Sequence, residues 1–159
     1  MTEQDKEFMR RAIELAQQGI DGGQGGPFGA IVVRDGEIIG EGCNRVTSTN
    51  DPTAHAEVVA IRAACKNLNS FQLDGCVIYT SCEPCPMCCG AIINSEIGTL
   101  VIGARFHKMR RFSEVFGAYH DYSVEAMARL TGSRLQVISG VLETRCEALY
   151  RGARITVNG

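Results

Sequence analysis

"CVIYTSCEPCPMCCGAIINSEIGTLVIGA", residues 76–104, opens and closes on short apolar runs and carries a cysteine-rich segment between them. "CVIYTS" and "TLVIGA" have the length and continuous apolar character of buried strands. "CPMCCGAIINS" suits a buried helix. Strand, helix and strand in succession are the repeating unit of an α/β sheet.

The flanks extend the pattern. Upstream, Phe8, Ala12, Leu15 and Ala16 recur at helical spacing, predicting a helix over residues 4–18 that Gly19 ends. "DGGQGGP" is a glycine loop. "FGAIVV", the turn "RDGE" and "IIGEGCN" predict a hairpin, because Asp35-Gly36 suits a tight turn with positive φ angles. After polar residues 45–53, "HAEVVAIRAACKNL" predicts a helix with Val58, Ile61, Ala64 and Cys65 on its apolar face. Downstream, residues 105–122 are polar, aromatic and irregular. Ser123 starts a predicted helix, "LQVIS" is a strand, and residues 141–152 form a last helix. An opening hairpin followed by alternating helices and strands predicts a mixed sheet with helices on both faces, a three-layer α/β/α sandwich.

At 159 residues the chain is long enough for one domain with a real core. Its hydrophobic content of 45% excludes a disordered chain, and its net charge of −2 gives no general attraction to nucleic acid or anionic membrane. The N-terminus lacks the apolar core of a signal peptide, and no apolar run approaches membrane-spanning length. A cytoplasmic location with reduced thiols is the expectation. The eight cysteines then point to metal binding or burial rather than disulfides. Cys65, Cys76 and Cys146, in apolar surroundings, are expected to be small buried hydrophobes.

Cys82, Cys85, Cys88 and Cys89 remain. Their spacing alone is compatible with an iron–sulfur cluster, half of a Cys₄ zinc site, or a Cys-x-x-Cys redox pair. A second motif about 30 residues upstream changes the balance: "DPTAHAEVVAI", with His55 and Glu57 two apart. Residues two apart do not share a face of a continuous helix, so they converge only if a helix begins there. Asp51, Pro52 and Thr53 favour such a beginning. Cys85 and Cys88, three apart, project from one helical turn. His55, Cys85 and Cys88 thus make a three-ligand zinc site with an open fourth position, which marks catalytic rather than structural zinc. Such a zinc makes a water acidic near neutral pH, and Glu57, beside the metal without being a ligand, is placed to shuttle its proton.

His55-Ala56-Glu57 with Pro84-Cys85-Pro86-Met87-Cys88 is the H-x-E … P-C-x-x-C pattern of zinc-dependent nucleobase deaminases. Over residues 25–105 the chain resembles the cytidine-deaminase superfamily, and within it the purine branch of bacterial guanine deaminases and tRNA adenosine deaminases. "GGPFGA", "NDPTAHAEV" and "YTSCEPCPMC" are most similar to the guanine enzymes. The resemblance implies a single zinc-dependent deaminase domain over residues 1–159, built on a five-stranded sheet and forming a homodimer. It implies zinc on His55, Cys85 and Cys88, with Glu57 as catalytic proton shuttle. Asn44 would hydrogen-bond the base, Phe28 would pack on its ring, and the Ala56 backbone would contact it. The implied substrate is a purine, foremost guanine; adenosine in tRNA, cytosine or a free nucleoside are the alternatives.

Two cysteines fall outside the pattern: Cys82 is expected to be a small residue near the metal, and Cys89 to be core. The chain departs from the resemblance at Asn94, where the guanine enzymes tend to carry tryptophan and the tRNA enzymes histidine. No motif supports Glu114 or Asp121 as the acidic residue that reads the purine edge. Lys108, Arg110 and Arg111 form a local basic run, which reads as a solvated loop before an RNA contact.

Overall fold

A computed structural model describes residues 1–151. Along the chain, α1 spans Glu3–Asp21, β1 Gly29–Arg34, β2 Glu37–Cys43, α2 Val46–Thr49 and α3 Ala56–Leu68. Next come β3 (Val77–Cys82), α4 (Pro86–Asn94), β4 (Thr99–Ala104), α5 (Phe106–Met109) and a 3₁₀ turn (Glu114–Gly117). The described chain closes with α6 (Val124–Thr131), β5 (Gln136–Ser139) and α7 (Glu143–Ala148).

The strands form one five-stranded mixed sheet in the order β2-β1-β3-β4-β5. β1 pairs antiparallel with both β2 and β3, whereas β3–β4 and β4–β5 are parallel. The hairpin forms as predicted, with both turn residues, Asp35 at φ 51° and Gly36 at φ 80°, in the left-handed region. Alternation along the strands sends side chains to opposite faces. Ile31, Val33, Tyr79 and Val101 join α1, α5 and the C-terminal Cys146 and Tyr150 on one side. Ala30, Val32, Ile78, Leu100 and Ile102 meet α3, α4 and α6 on the other. The predicted three layers are present.

Three helix predictions need correction. α1 runs past Gly19 to Asp21, with Gly22 as its cap. Gly19 instead packs on β2, where a Cβ would lie 3.0 Å from that of Cys43. On α3 the buried residues are Ala56, Glu57, Ala60 and Ala64, while Val58, Ile61 and Cys65 are only partly covered. The cause is on β2: a Cβ at Gly42 would fall 2.2 Å from the Ala56 carbonyl, and one at Gly40 2.4 Å from that of Ala60. The helix backbone rests directly on the strand, and only alanines fit between. The helix predicted over 141–152 is realised over Glu143–Ala148, with Leu142 in a left-handed conformation (φ 52°) at its start; residue 152 lies outside the described residues. No helix among the described residues is long and apolar enough to cross a membrane.

Candidate metal centre and active site

His55 is the N-cap of α3 and Cys85 the N-cap of α4. Both have the extended backbone of that position, and neither side chain caps its own helix. Each is therefore free to project from its helix start toward the other. Pro86, with its fixed φ, initiates α4, and Cys88 follows one turn on. The three donor atoms converge within 4.8 Å of one another. His55 Nδ1 lies 3.6 Å from Cys85 Sγ and 3.5 Å from Cys88 Sγ. In a tetrahedral zinc site with bonds of about 2.3 Å to sulfur and about 2.05 Å to nitrogen, the nitrogen–sulfur edge is about 3.6 Å. Both nitrogen–sulfur distances match that edge.

Their electrostatics agree. The Cys88 thiol donates toward Cys85 and, with His55 alongside, holds the Cys85 thiol down to about 4 despite burial. Cys88 is shifted the opposite way, raised by its contact with Cys85 and by burial. One thiolate forms readily; a second beside it calls for a cation. Hydrogen bonding to Cys85 raises His55 against its burial, with Glu57 adding to the rise. Burial, and then the Cys85 thiolate, push the Glu57 carboxyl up to about 7.

Residues 2–104 match the family model of the cytidine and deoxycytidylate deaminase zinc-binding region. The chain belongs to this family. It is 66% identical over 85 residues to the guanine deaminase of Bacillus subtilis (strain 168), a match spanning 54% of this chain and 54% of that one. The chain thus spans about half the length of that relative. It is 40% identical over 146 residues to the tRNA-specific adenosine deaminase of Haemophilus influenzae, covering 91% of this chain and 80% of that one. A solved guanine deaminase from Bacillus subtilis superposes with a TM-score of 0.67 at 48% identity, over 74% of this chain and 76% of the other. The sequence-based family, fold and zinc cofactor are those of this deaminase domain, in which His55, Cys85 and Cys88 are positioned to hold the metal ion.

The other residues singled out in the sequence are placed as follows. Asn44 directly follows β2 and is buried; its Oδ1 accepts from the Val46 N–H at 3.0 Å. That bond fixes the amide and leaves Nδ2 with no protein acceptor among the described residues. Ala56 is the first residue of α3, so its N–H has no intrahelical partner. Phe28 is half-buried, its ring 5.6 Å from that of Tyr150 and edge-on to it. Cys89 and Cys82 are both core: Cys89, on the buried face of α4, joins the cluster with α3 and α6, and Cys82 packs on the α1 side of the sheet, outside the converging donors. Asn94 is exposed at the far end of α4, about 13 Å along the helix axis from Cys85. Glu114 and Asp121 are exposed and make no ion pair among the described residues.

Sequence reasoning missed Glu83. This buried carboxylate immediately precedes Pro84-Cys85 and accepts from Arg105 Nη1 at 3.0 Å, Phe106 N at 3.0 Å and Val124 N at 3.3 Å. Arg105 also pairs with Glu125, and the Tyr122 hydroxyl donates to the Pro84 carbonyl at 2.5 Å. The turn carrying Cys85 is thereby tied to the end of β4 and the start of α6. The signal was weak because every partner of Glu83 is more than 20 residues away. The basic run is also tied down: Lys108 pairs with Glu143 at 2.8 Å, and Arg111 pairs with Glu147 while lying over the Phe112 ring.

Proposed function

We propose that residues 1–159 act as one deaminase domain that hydrolyses guanine to xanthine and ammonia. The observation that carries this reading is the convergence of His55 Nδ1 with two sulfurs at 3.5 and 3.6 Å beside a buried carboxylate. His55, Cys85 and Cys88 hold zinc, which when bound supplies Lewis acidity at its open fourth position.

The protein's own groups do the rest. Glu57, a buried carboxyl beside the donors, is the group placed to exchange protons with the attacking water. It accepts one proton of the attacking water and delivers it to a ring nitrogen; it then takes the second proton, from the hydroxyl formed on the ring carbon, and passes it to the amine as the C–N bond breaks and the ring carbonyl forms. One water is consumed and one ammonia released per base. Asn44 Nδ2 and the Ala56 N–H donate to acceptors on the base, and Phe28 packs on the ring face. Guanine is favoured over other bases by the 66% identity to a guanine deaminase across the motif-bearing part of the chain.

The longer match to a tRNA-specific adenosine deaminase supports a second reading. Against it, Lys108 and Arg111 each pair with an α7 carboxylate, which leaves Arg110 as the exposed cation of the run without an ion pair among the described residues. A homodimer and a cytoplasmic location complete the proposal; sedimentation of the zinc-loaded protein tests the dimer. The deciding experiment is zinc content together with ammonia release from guanine, guanosine, adenine, adenosine, cytosine, cytidine and an adenosine-bearing tRNA. One zinc per chain with ammonia from guanine is expected. Zinc-loaded protein inert toward guanine but active on tRNA would replace the first reading with the second. In Glu57→Gln, zinc stays bound and kcat falls by about 10²–10⁴-fold, the usual contribution of general acid–base catalysis.

A further inference from the structure

The loop between α1 and β1 touches the proposed base-binding amide at one residue. A Cβ built on Gly25 would lie 2.3 Å from Asn44 Oδ1, 2.6 Å from the Asn44 carbonyl oxygen and 3.0 Å from its carbon. Gly25 is outside the left-handed region, so its backbone conformation does not require glycine. The space does.

Neither partner can yield cheaply. The loop is pinned on both sides of Gly25. Gln24 N donates to the Gly19 carbonyl at 2.9 Å, and the Gln24 carbonyl accepts from Ser48 N at 3.3 Å and Thr47 Oγ1 at 3.2 Å. The Cys43 thiol lies 3.6 Å from Gln24 Oε1. Beyond Gly25, Phe28 N donates to the Gly26 carbonyl at 2.9 Å. The Asn44 backbone is held too: Asn44 N donates to the Phe28 carbonyl at 3.2 Å, and Arg45 N to the Ala54 carbonyl, next to His55, at 2.9 Å. Asn44 is 1% exposed, so its amide sits in the interior, held by its bond to Val46 N. The softest response to added bulk is rotation of the Asn44 side chain, which breaks its bond to Val46 N and re-aims Nδ2.

We propose that Gly25 is a positioning residue for substrate affinity: its missing side chain is the seat that aims the Asn44 amide at the base. The inference rests on the proposed role of Asn44. It acts on binding, since Gly25 touches neither the metal donors nor Glu57.

The test is a double-mutant cycle on the zinc-loaded protein, with KM, kcat, zinc content and melting temperature measured for Gly25→Ala, Asn44→Ala and the pair. Gly25→Ala should raise KM about tenfold or more, the factor equivalent to about 1.4 kcal/mol. Zinc should stay at one per chain, and kcat should change by less than about threefold, because a lost ground-state contact moves KM rather than kcat. In the Asn44→Ala background the same change should add almost nothing to KM. Full additivity, or a normal KM in Gly25→Ala while Asn44→Ala is impaired, overturns the role of Gly25. A normal KM in Asn44→Ala overturns the underlying reading of Asn44 instead. Should Gly25→Ala fail to fold, Gly25→Ala/Asn44→Gly decides: recovery of soluble, zinc-bound protein supports the shared space, and no recovery overturns it.

Discussion

At the metal end, His55, Glu57, Cys85 and Cys88 occupy the starts of α3 and α4, where their local spacing places them on their own helices. In the neighbouring segment, residues 105–122, the backbone is short α and 3₁₀ turns, with Phe106, Phe116, Tyr119 and Tyr122 packed ring against ring within 6.0 Å. Three of its charges are held by partners elsewhere: Arg105 by Glu83 and Glu125, Lys108 by Glu143, Arg111 by Glu147. The first region is specified by spacing and the second by long-range pairs. A helix start can present a ligand with few supports, because proline and the N-cap conformation fix it. An irregular segment holds its shape only through contacts that several distant residues must supply together. The donors of the site are therefore read early from sequence, and the long-range braces around them late.

Breaking the metal end should have the largest effect. Cys85→Ala removes one of three donors and leaves the Cys88 thiol and His55 without the charge that pairs them. Zinc per chain, by elemental analysis, should fall far below one. Turnover should fall by at least about 10³-fold, because metal Lewis acidity is worth several kcal/mol and each 1.36 kcal/mol is tenfold. Retained zinc with retained activity would show that the motif does not form the site.

Next in size is the joint between the two regions. Glu83→Ala leaves Arg105 with Glu125 alone and strips the Phe106 and Val124 N–H groups of their acceptor. Removing one partner of a buried pair costs about 3–5 kcal/mol. Arg105 is partly exposed and keeps a second partner, so the lower end, about 3 kcal/mol, is expected. That corresponds to a fall of about 6–12 °C in melting temperature for a domain of this size. Glu83→Gln keeps one carbonyl oxygen, so it accepts from only one of the two N–H groups, and it should lose less than Glu83→Ala. If the two variants melt alike, the Arg105 charge rather than the acceptor geometry holds the joint.

The same contrast sets how much of the structure the sequence revealed. The hairpin, both ligand-bearing helix starts, β4 and the Ser123-capped α6 follow from turn residues, caps and apolar runs within a few positions of one another. The buried face of α3 did not, because Val58 and Ile61 outweigh alanine in any one-helix pattern. Gly40 and Gly42, on a strand reached only through the fold, decide that Ala56, Ala60 and Ala64 face inward. Gly19 misled for the same reason, being needed for its contact with Cys43 rather than to end α1. Of the candidate site, the donors and Glu57 were readable from spacing. Glu83, Gly25 and Tyr150 were not, since each matters through a residue more than 15 positions away.

The smallest expected effect discriminates most between the two substrate readings. Lys108 and Glu143 are both partly exposed, and such a pair is worth about 0–1 kcal/mol. Lys108→Ala should therefore lower the melting temperature by no more than about 2–4 °C and leave kcat/KM for guanine within about twofold. A lysine engaged by a carboxylate of its own chain also contributes little to phosphate binding. The salt dependence of any RNA association should then be the same in wild type and Lys108→Ala. A phosphate-contacting lysine behaves differently: its loss reduces the slope of log K against log[salt] by about one and weakens all RNA sequences alike. Measured on a tRNA over a range of salt concentrations, an unchanged slope keeps residues 108–111 as internal braces of the segment beside the site. A slope reduced by one would show that Glu143 releases Lys108 to the backbone of an RNA, and would carry the protein toward the tRNA deaminases despite its guanine-like motifs.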